Sequence, residues 1–330
     1  MQFHNHRKQS PRLIGLADNL YQANYDLDSI GRILLFYRSV IVPSMGSRPA
    51  FAGSPPQAWK SYVTDDHSPI EYSWNWDGGA GKTPQVRFTV EPIGTDSGVQ
   101  PISIINHFEK ELLSSTTNTA SIDARAPPQS HRSSMFLAIE LGGADTDVKT
   151  YFMPMIKSLD SNQTRSQVLF QSINSLHRDH PNTVFPGFNG LIDYMANDAL
   201  GSQTEVEMVA VDCVTPSMAR VKIYLRSQEA SWECLCSILT MNGQIKVSRR
   251  AFEKMRPLWQ LVLSLEHDIS TAQQLPASHR SEAGTFYCFY ARPGVAEFTP
   301  ISISCEPKGD DVSVTSYFSP DIYYPTRKEG

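Results

Sequence analysis

Apolar and polar residues alternate through Pro69-Ile70-Glu71-Tyr72-Ser73-Trp74-Asn75-Trp76. The run predicts a strand with Ile70, Tyr72, Trp74 and Trp76 on one face and Glu71, Ser73 and Asn75 on the other. After a turn, Val86-Arg87-Phe88-Thr89-Val90 alternates again, setting Arg87, Thr89 and Glu91 against Val86, Phe88 and Val90. Each strand therefore has one apolar and one polar face, and the polar faces can meet around water.

The period changes elsewhere along the chain. From Leu13 to Val42 the apolar residues Ile30, Leu34, Tyr37 and Val40 recur near helical spacing, and Pro43 is expected to end the run. Pro101 to Leu113 is helical in pattern, while Ser114 to Pro128 is polar and reads as a loop. A second strand pair is expected at Ser134 to Leu141 and Val148 to Met153, then helices at Arg165 to Leu176 and Leu191 to Leu200. A third pair spans Glu205 to Cys213 and Arg220 to Leu225, followed by helices at Glu229 to Leu239 and Arg249 to Leu265. The end reads as three strands, Thr285 to Ala291, Thr299 to Cys305 and Val312 to Phe318.

Helices followed by a strand pair recur as an ααββ rhythm. Short turns make each pair antiparallel, unlike a βαβ unit. Such repeats can close a sheet into a barrel with helices outside, and about ten strands enclose a solvent-filled lumen. The expectation is therefore an α+β fold: a single antiparallel barrel over residues 1–330, lined by alternate residues of every strand.

Composition narrows the function classes. With 330 residues, 40% of them hydrophobic, the chain can build a large core. A net charge of -5 supplies no basic field, so no nucleic-acid partner is expected. No apolar run has the length of a membrane span, and Met1-Gln2-Phe3-His4-Asn5-His6-Arg7-Lys8 lacks the apolar stretch of a signal peptide. The five cysteines (213, 234, 236, 288 and 305) form no even framework and no CxxC pair, which points to reduced thiols in the cytoplasm.

The strands carry a recurring cationic pattern: Arg87, then Lys149 with Tyr151, then Arg220, Lys222 and Tyr224, with Tyr317 on the last strand. Buried cations need an anion. Arg as a fork and Lys as a point charge together suit a diphosphate, and tyrosine faces can shield a carbocation. Solvent-facing lysines and arginines are the plain alternative for any one strand, but recurrence on two strands favours a binding role. Gly78-Gly79-Ala80-Gly81-Lys82-Thr83 imitates a phosphate loop but fails, because Trp76 stands where the first glycine belongs and Pro84 follows. Asp65-Asp66-His67 and Asp310-Asp311-Val312 lack the second acidic residue of a DDxxD magnesium motif, so neither metal nor other cofactor is expected.

These residues, together with Lys149-Thr150-Tyr151-Phe152-Met153-Pro154 and Ala291-Arg292-Pro293-Gly294, resemble the fungal indole aromatic prenyltransferases of the dimethylallyltryptophan synthase type. The likeness runs in order from about Leu13 to Pro320 and implies an ABBA barrel of ten strands. It implies that Glu71 accepts the indole N–H, that Arg87, Lys149, Arg220 and Lys222 hold the diphosphate, and that Tyr151, Tyr224 and Tyr317 form a tyrosine shield. The implied reaction moves a dimethylallyl group from dimethylallyl diphosphate to an indole-type acceptor without metal, in secondary metabolism.

Two departures qualify the resemblance. Where the family often has a lysine as candidate base, this chain reads Ala138-Ile139-Glu140-Leu141-Gly142, leaving Glu140 or water. Near 298–302, Phe298-Thr299-Pro300 runs straight into Ile301-Ser302, as if a helical segment and a strand were deleted. About nine strands would remain, an incomplete barrel, because an up-and-down antiparallel barrel closes with like neighbours only for an even number. Either a second copy fills the gap as a homodimer, or the chain is a weak or inactive barrel that only binds diphosphate or a hydrophobic ligand.

Overall fold

In the computed structural model the described residues are 10–45, 61–63, 68–75, 84–92, 109–113, 133–142, 145–179, 181, 185–214, 219–227, 229, 231–247, 249–262, 265, 269–274, 285–291, 299 and 300. The chain divides into two compact units, Met1–Pro101 with Ala126–Tyr151, and Ile102–Arg125 with Phe152–Gly330.

The first unit begins with helices α1 (Ser10–Gln22) and α2 (Leu27–Phe36). Asp26 caps α2: its carboxylate accepts from the Ser29 backbone N–H at 2.8 Å and from the Ser29 hydroxyl at 2.7 Å. Past Phe36 the coil widens to a π-helical turn, Tyr37–Ile41, and ends in the short α3 (Val42–Ser44), which contains Pro43. Strands β1 (Ile70–Asn75), β2 (Gln85–Val90), β3 (Met135–Gly142) and β4 (Asp145–Phe152) follow, ordered β1-β2-β3-β4.

Register decides which residues share a face. Tyr72 lies opposite Phe88 and Trp74 opposite Val86, while Phe88 and Val86 in turn face Ile139 and Leu141 on β3. This is the apolar face. It packs on Leu16, Leu20, Ala23, Ile30, Tyr37 and Ile41 of the helices to form one core. The fully buried Tyr37 ring meets Phe88 edge-on at 5.6 Å, and its hydroxyl bonds that of Tyr72 at 2.8 Å. Trp74 donates its indole N–H to the Asn19 side-chain oxygen on α1. Tyr25 pins the sheet at the Val86–Leu141 pair, donating to the Leu141 carbonyl and accepting from the Val86 N–H at 3.1 Å.

The second unit holds a π-helical turn at Glu109–Leu113, then α4 (Met155–Ser161), α5 (Arg165–Asp179) and α6 (Gly187–Asn197). Strands β5 (Thr204–Asp212) and β6 (Val221–Ser227) come next, then α7 (Trp232–Thr240), α8 (Arg249–Val262), β7 (Thr285–Ala291) and the two-residue β8 (Thr299–Pro300). The strands pair antiparallel in the order β5-β6-β7-β8, and α5 packs against β5. A bulge between Val206 and Met208 lets the buried Glu207 accept from Arg165 of α5 at 2.5 Å and Arg226 of β6 at 3.1 Å.

The helix-then-strand-pair rhythm is present, with boundary shifts. Helix α4, at seven residues, is too short to show a helical period in the sequence, and α6 begins at Gly187, four residues before the expected Leu191. Eight strands stand among the described residues; the strand expected at 312–318 and most of that expected at 299–305 lie outside them.

Candidate active site

The polar face of the first unit gathers the expected residues and adds one. Arg87 on β2 stands between Ser73 on β1 and Glu140 on β3, while Glu71 is paired with Thr89, one diagonal step away on the same face. Arg87 donates from Nη1 to Glu140 Oε1 at 3.2 Å, and Lys149 on β4 donates its ammonium to that same oxygen. Glu140 thus sits on the middle strand with a cation from each flanking strand. Side-chain exposures of 21% for Arg87, 12% for Glu140 and 7% for Lys149 place the trio mostly out of water, where charges act more strongly.

Burial pushes the Glu140 carboxyl up, yet Lys149 and then Arg87 pull harder, and its pKa ends below the ordinary glutamate range. A carboxylate held by two cations is a poor proton acceptor, so the geometry counts against Glu140 as the base. The Arg87 Nε has no hydrogen-bond partner among the described residues. The trio keeps one net positive charge.

Tyr151 lies two residues beyond Lys149 on β4, hence on the same face. Phe136 stacks on its ring at 4.4 Å and 17°, and Tyr62 continues the stack on Phe136 at 6.4 Å. The stack is tied down below. Glu91, 2% exposed, accepts from the Ser61 and Ser133 hydroxyls at 2.6 and 2.7 Å, and Ser133 accepts from the Tyr62 N–H. Glu91 therefore serves a buried anchor just beyond the end of β2, and not the open polar face to which alternation assigned it. Glu71 remains on that face and is exposed.

In the second unit Lys222 is paired with Ala210 and Tyr224 with Met208, and both side chains are buried. Arg220 stands just before β6, opposite Asp212, and donates to it at 2.5 Å. Alternation continues through Arg226, so Arg220, Lys222, Tyr224 and Arg226 make four basic or phenolic positions on one face. Asp212 Oδ1 has no partner among the described residues.

Three of the four expected phosphate-binding cations are thus compensated by internal carboxylates, Glu140 and Asp212. Arg87, Lys149 and Arg220 therefore do not by themselves demand an external anion. The signal for these carboxylates was only an acidic residue in an otherwise apolar strand run, Ala138-Ile139-Glu140-Leu141 and Ala210-Val211-Asp212. Tyr317 and Trp76 lie outside the described residues, as do the Gly78–Thr83 turn and Arg292. Cys234 is fully buried, and burial pushes the Cys236 thiol up to about 12, so neither is a nucleophile. A depression of about 650 Å³ in the second unit is lined by Asp198, Ser231, Cys236 and Gln274 among others, none of them on a strand. No metal-ligand cluster and no helix long and apolar enough to cross a membrane occur among the described residues.

Comparison with known proteins fits this strand pattern. The tryptophan dimethylallyltransferase family matches residues 14–106 and 101–302, short of the position of Tyr317. The 4-O-dimethylallyl-L-tyrosine synthase of Claviceps purpurea is 31% identical over 302 residues, covering 85% of this chain and 67% of that protein. A 7-dimethylallyltryptophan synthase of Aspergillus fumigatus is 27% identical, covering 83% and 64%. The chain thus spans about two thirds of the length of these relatives. Among solved structures, AnaPT from Neosartorya fischeri superposes with a TM-score of 0.67 at 22% identity, over 87% of this chain and 72% of that one. NotF, solved with brevianamide F and DMSPP, also reaches 0.67, at 16% identity over 91% and 77%. Likeness at these identities shows the fold, that of the ABBA prenyltransferases. By family match and by fold, the chain belongs to the tryptophan dimethylallyltransferase family.

Proposed function

We propose that this chain is an aromatic prenyltransferase that moves a dimethylallyl group from its diphosphate to an indole-type acceptor such as tryptophan, an indole alkaloid or a cyclic dipeptide. The observation that carries the reading is the joining of Arg87 and Lys149 on the polar face that also bears Glu71 and Tyr151. In this reading Arg87, Lys149, Arg220 and Lys222 neutralise the diphosphate as the allylic C–O bond breaks and its electron pair leaves with oxygen. Tyr151, Tyr224 and Tyr317 offer ring faces to the allyl cation. Glu71 accepts the indole N–H and makes the ring more nucleophilic; the arene forms the new C–C bond and the displaced proton goes to water. The role of Tyr317, a solvent-filled lumen and a cytoplasmic location belong to the same proposal.

The end of the family match at residue 302 supports a second reading, in which a deletion near 298–302 leaves a weak or inactive barrel that only binds diphosphate or a hydrophobic ligand. Incubating the protein with dimethylallyl diphosphate and a panel of indoles, cyclic dipeptides and tyrosine, with product mass as readout, separates the two. A product heavier by one dimethylallyl group supports transfer, on carbon for an indole or on oxygen for a phenol. Diphosphate binding without product supports the second reading, and absence of both overturns them together.

A further inference from the structure

The proposed donor site contains a carboxylate, which at first sight opposes anion binding. Its position resolves the tension. Arg87 and Lys149 come from strands on either side of β3, and without a shared partner their mutual repulsion and long flexible stems would turn them toward water. Glu140 meets both through one oxygen, Oε1, from the strand between them. It engages Arg87 at Nη1 and Lys149 through one of three ammonium hydrogens, so donors remain on both groups. The carboxyl is held in its charged form by the same two neighbours.

We infer that Glu140 is a positioning residue for the donor: it gathers Arg87 and Lys149 to a common point on the polar face, preorganised to receive a diphosphate. The inference rests on the diphosphate role proposed above. Preorganisation then outweighs the repulsion between Glu140 and the incoming anion, because the ordering of two long side chains precedes binding. Glu140 touches neither substrate in this arrangement and acts through its two partners.

The test uses the full chain with inorganic pyrophosphate as probe in calorimetry, and steady-state kinetics with dimethylallyl diphosphate wherever turnover is measurable. Glu140→Gln is expected to weaken pyrophosphate binding about tenfold and to raise the donor KM similarly, with the acceptor KM within twofold. Glu140→Asp, which keeps the charge, is expected to recover most of the loss. In the Arg87→Ala background, Glu140→Gln should add little, since one gathered partner is already gone. Thermal melting of the same samples separates folding from binding.

Unchanged or tighter pyrophosphate binding in Glu140→Gln, with binding lost in Arg87→Ala and Lys149→Ala, overturns the positioning role and leaves the donor site standing. Equal rises in donor and acceptor KM, or a lower melting temperature alone, make Glu140 a structural counterion and overturn it as well. If wild type binds no pyrophosphate, or Arg87→Ala and Lys149→Ala bind it as wild type does, the donor-site reading itself fails and the inference with it.

Discussion

A single oxygen of Glu140 carries much of the chemistry at the residue scale, because two cations converge on it. The same logic separates it from Glu71. Glu140 is mostly out of water and held by two cations; Glu71, on the same face, is exposed and lies across from Thr89 in the strand pair. Two carboxylates in unlike environments suit unlike roles. If Glu71 holds the acceptor, Glu71→Gln keeps its shape and loses its charge. Its kcat/KM for an indole should fall by roughly a hundredfold or more, the usual scale for a positioned acid or base, while pyrophosphate affinity holds steady. Calorimetry and initial rates on one preparation check this, and an indole rate within threefold of wild type would remove Glu71 from the reaction.

Among the elements, two small residues set how the strands of the second unit are entered and left. Gly201, in the 3-10 turn Gly201–Gln203 between α6 and β5, lies so close to α6 that an added Cβ would sit 2.3 Å from the Tyr194 carbonyl oxygen. Ser231 caps α7, its hydroxyl accepting from the Cys234 N–H at 3.1 Å just after β6 ends. The first constraint is steric and meets backbone; the second is one hydrogen bond. Gly201→Ala should therefore cost about 1–3 kcal/mol. Ser231→Ala should cost about 1 kcal/mol, the usual value of a helix cap. Urea unfolding of the two variants orders them, and a Ser231→Ala loss exceeding that of Gly201→Ala would contradict the packing described.

For the whole molecule, two partly buried titratable groups, His177 and Glu140, shape the response to acid. His177 accepts the Phe185 N–H at Nε2, 3.1 Å away, and burial holds its pKa below the ordinary histidine range. Glu140 likewise titrates below the ordinary carboxylate range, burial being outweighed by Lys149 and Arg87. Both bind protons more weakly folded than unfolded, so each contributes stability above its unfolded pKa and loses it as pH falls through its folded one. Urea midpoints should therefore decline in two stages, first below the histidine range and then below the glutamate range. Glu140→Gln should flatten the second stage and leave the first; an unchanged second stage would show that other carboxylates govern acid unfolding.

Alternation by itself determined that Arg87, Lys149, Tyr151, Lys222 and Tyr224 occupy the polar faces of strands, because a period of two is local and holds wherever no bulge interrupts it. It also determined the rhythm of helices and strand pairs, and the strand that carries Glu71. Register was another matter. Which residue stands across from Arg87 depends on turn length and on how the apolar face seats on α1 and α2, and neither is written in one strand. Packing set the Trp74 indole N–H on the Asn19 side chain of α1, a partner that no strand pattern names. It placed Glu140 between Arg87 and Lys149, and Asp212 against Arg220, so that cations that seemed to await an external anion already have internal ones. Pairing across strands joins residues tens of positions apart, 53 in the case of Arg87 and Glu140, and only the folded sheet brings such charges within reach of one another.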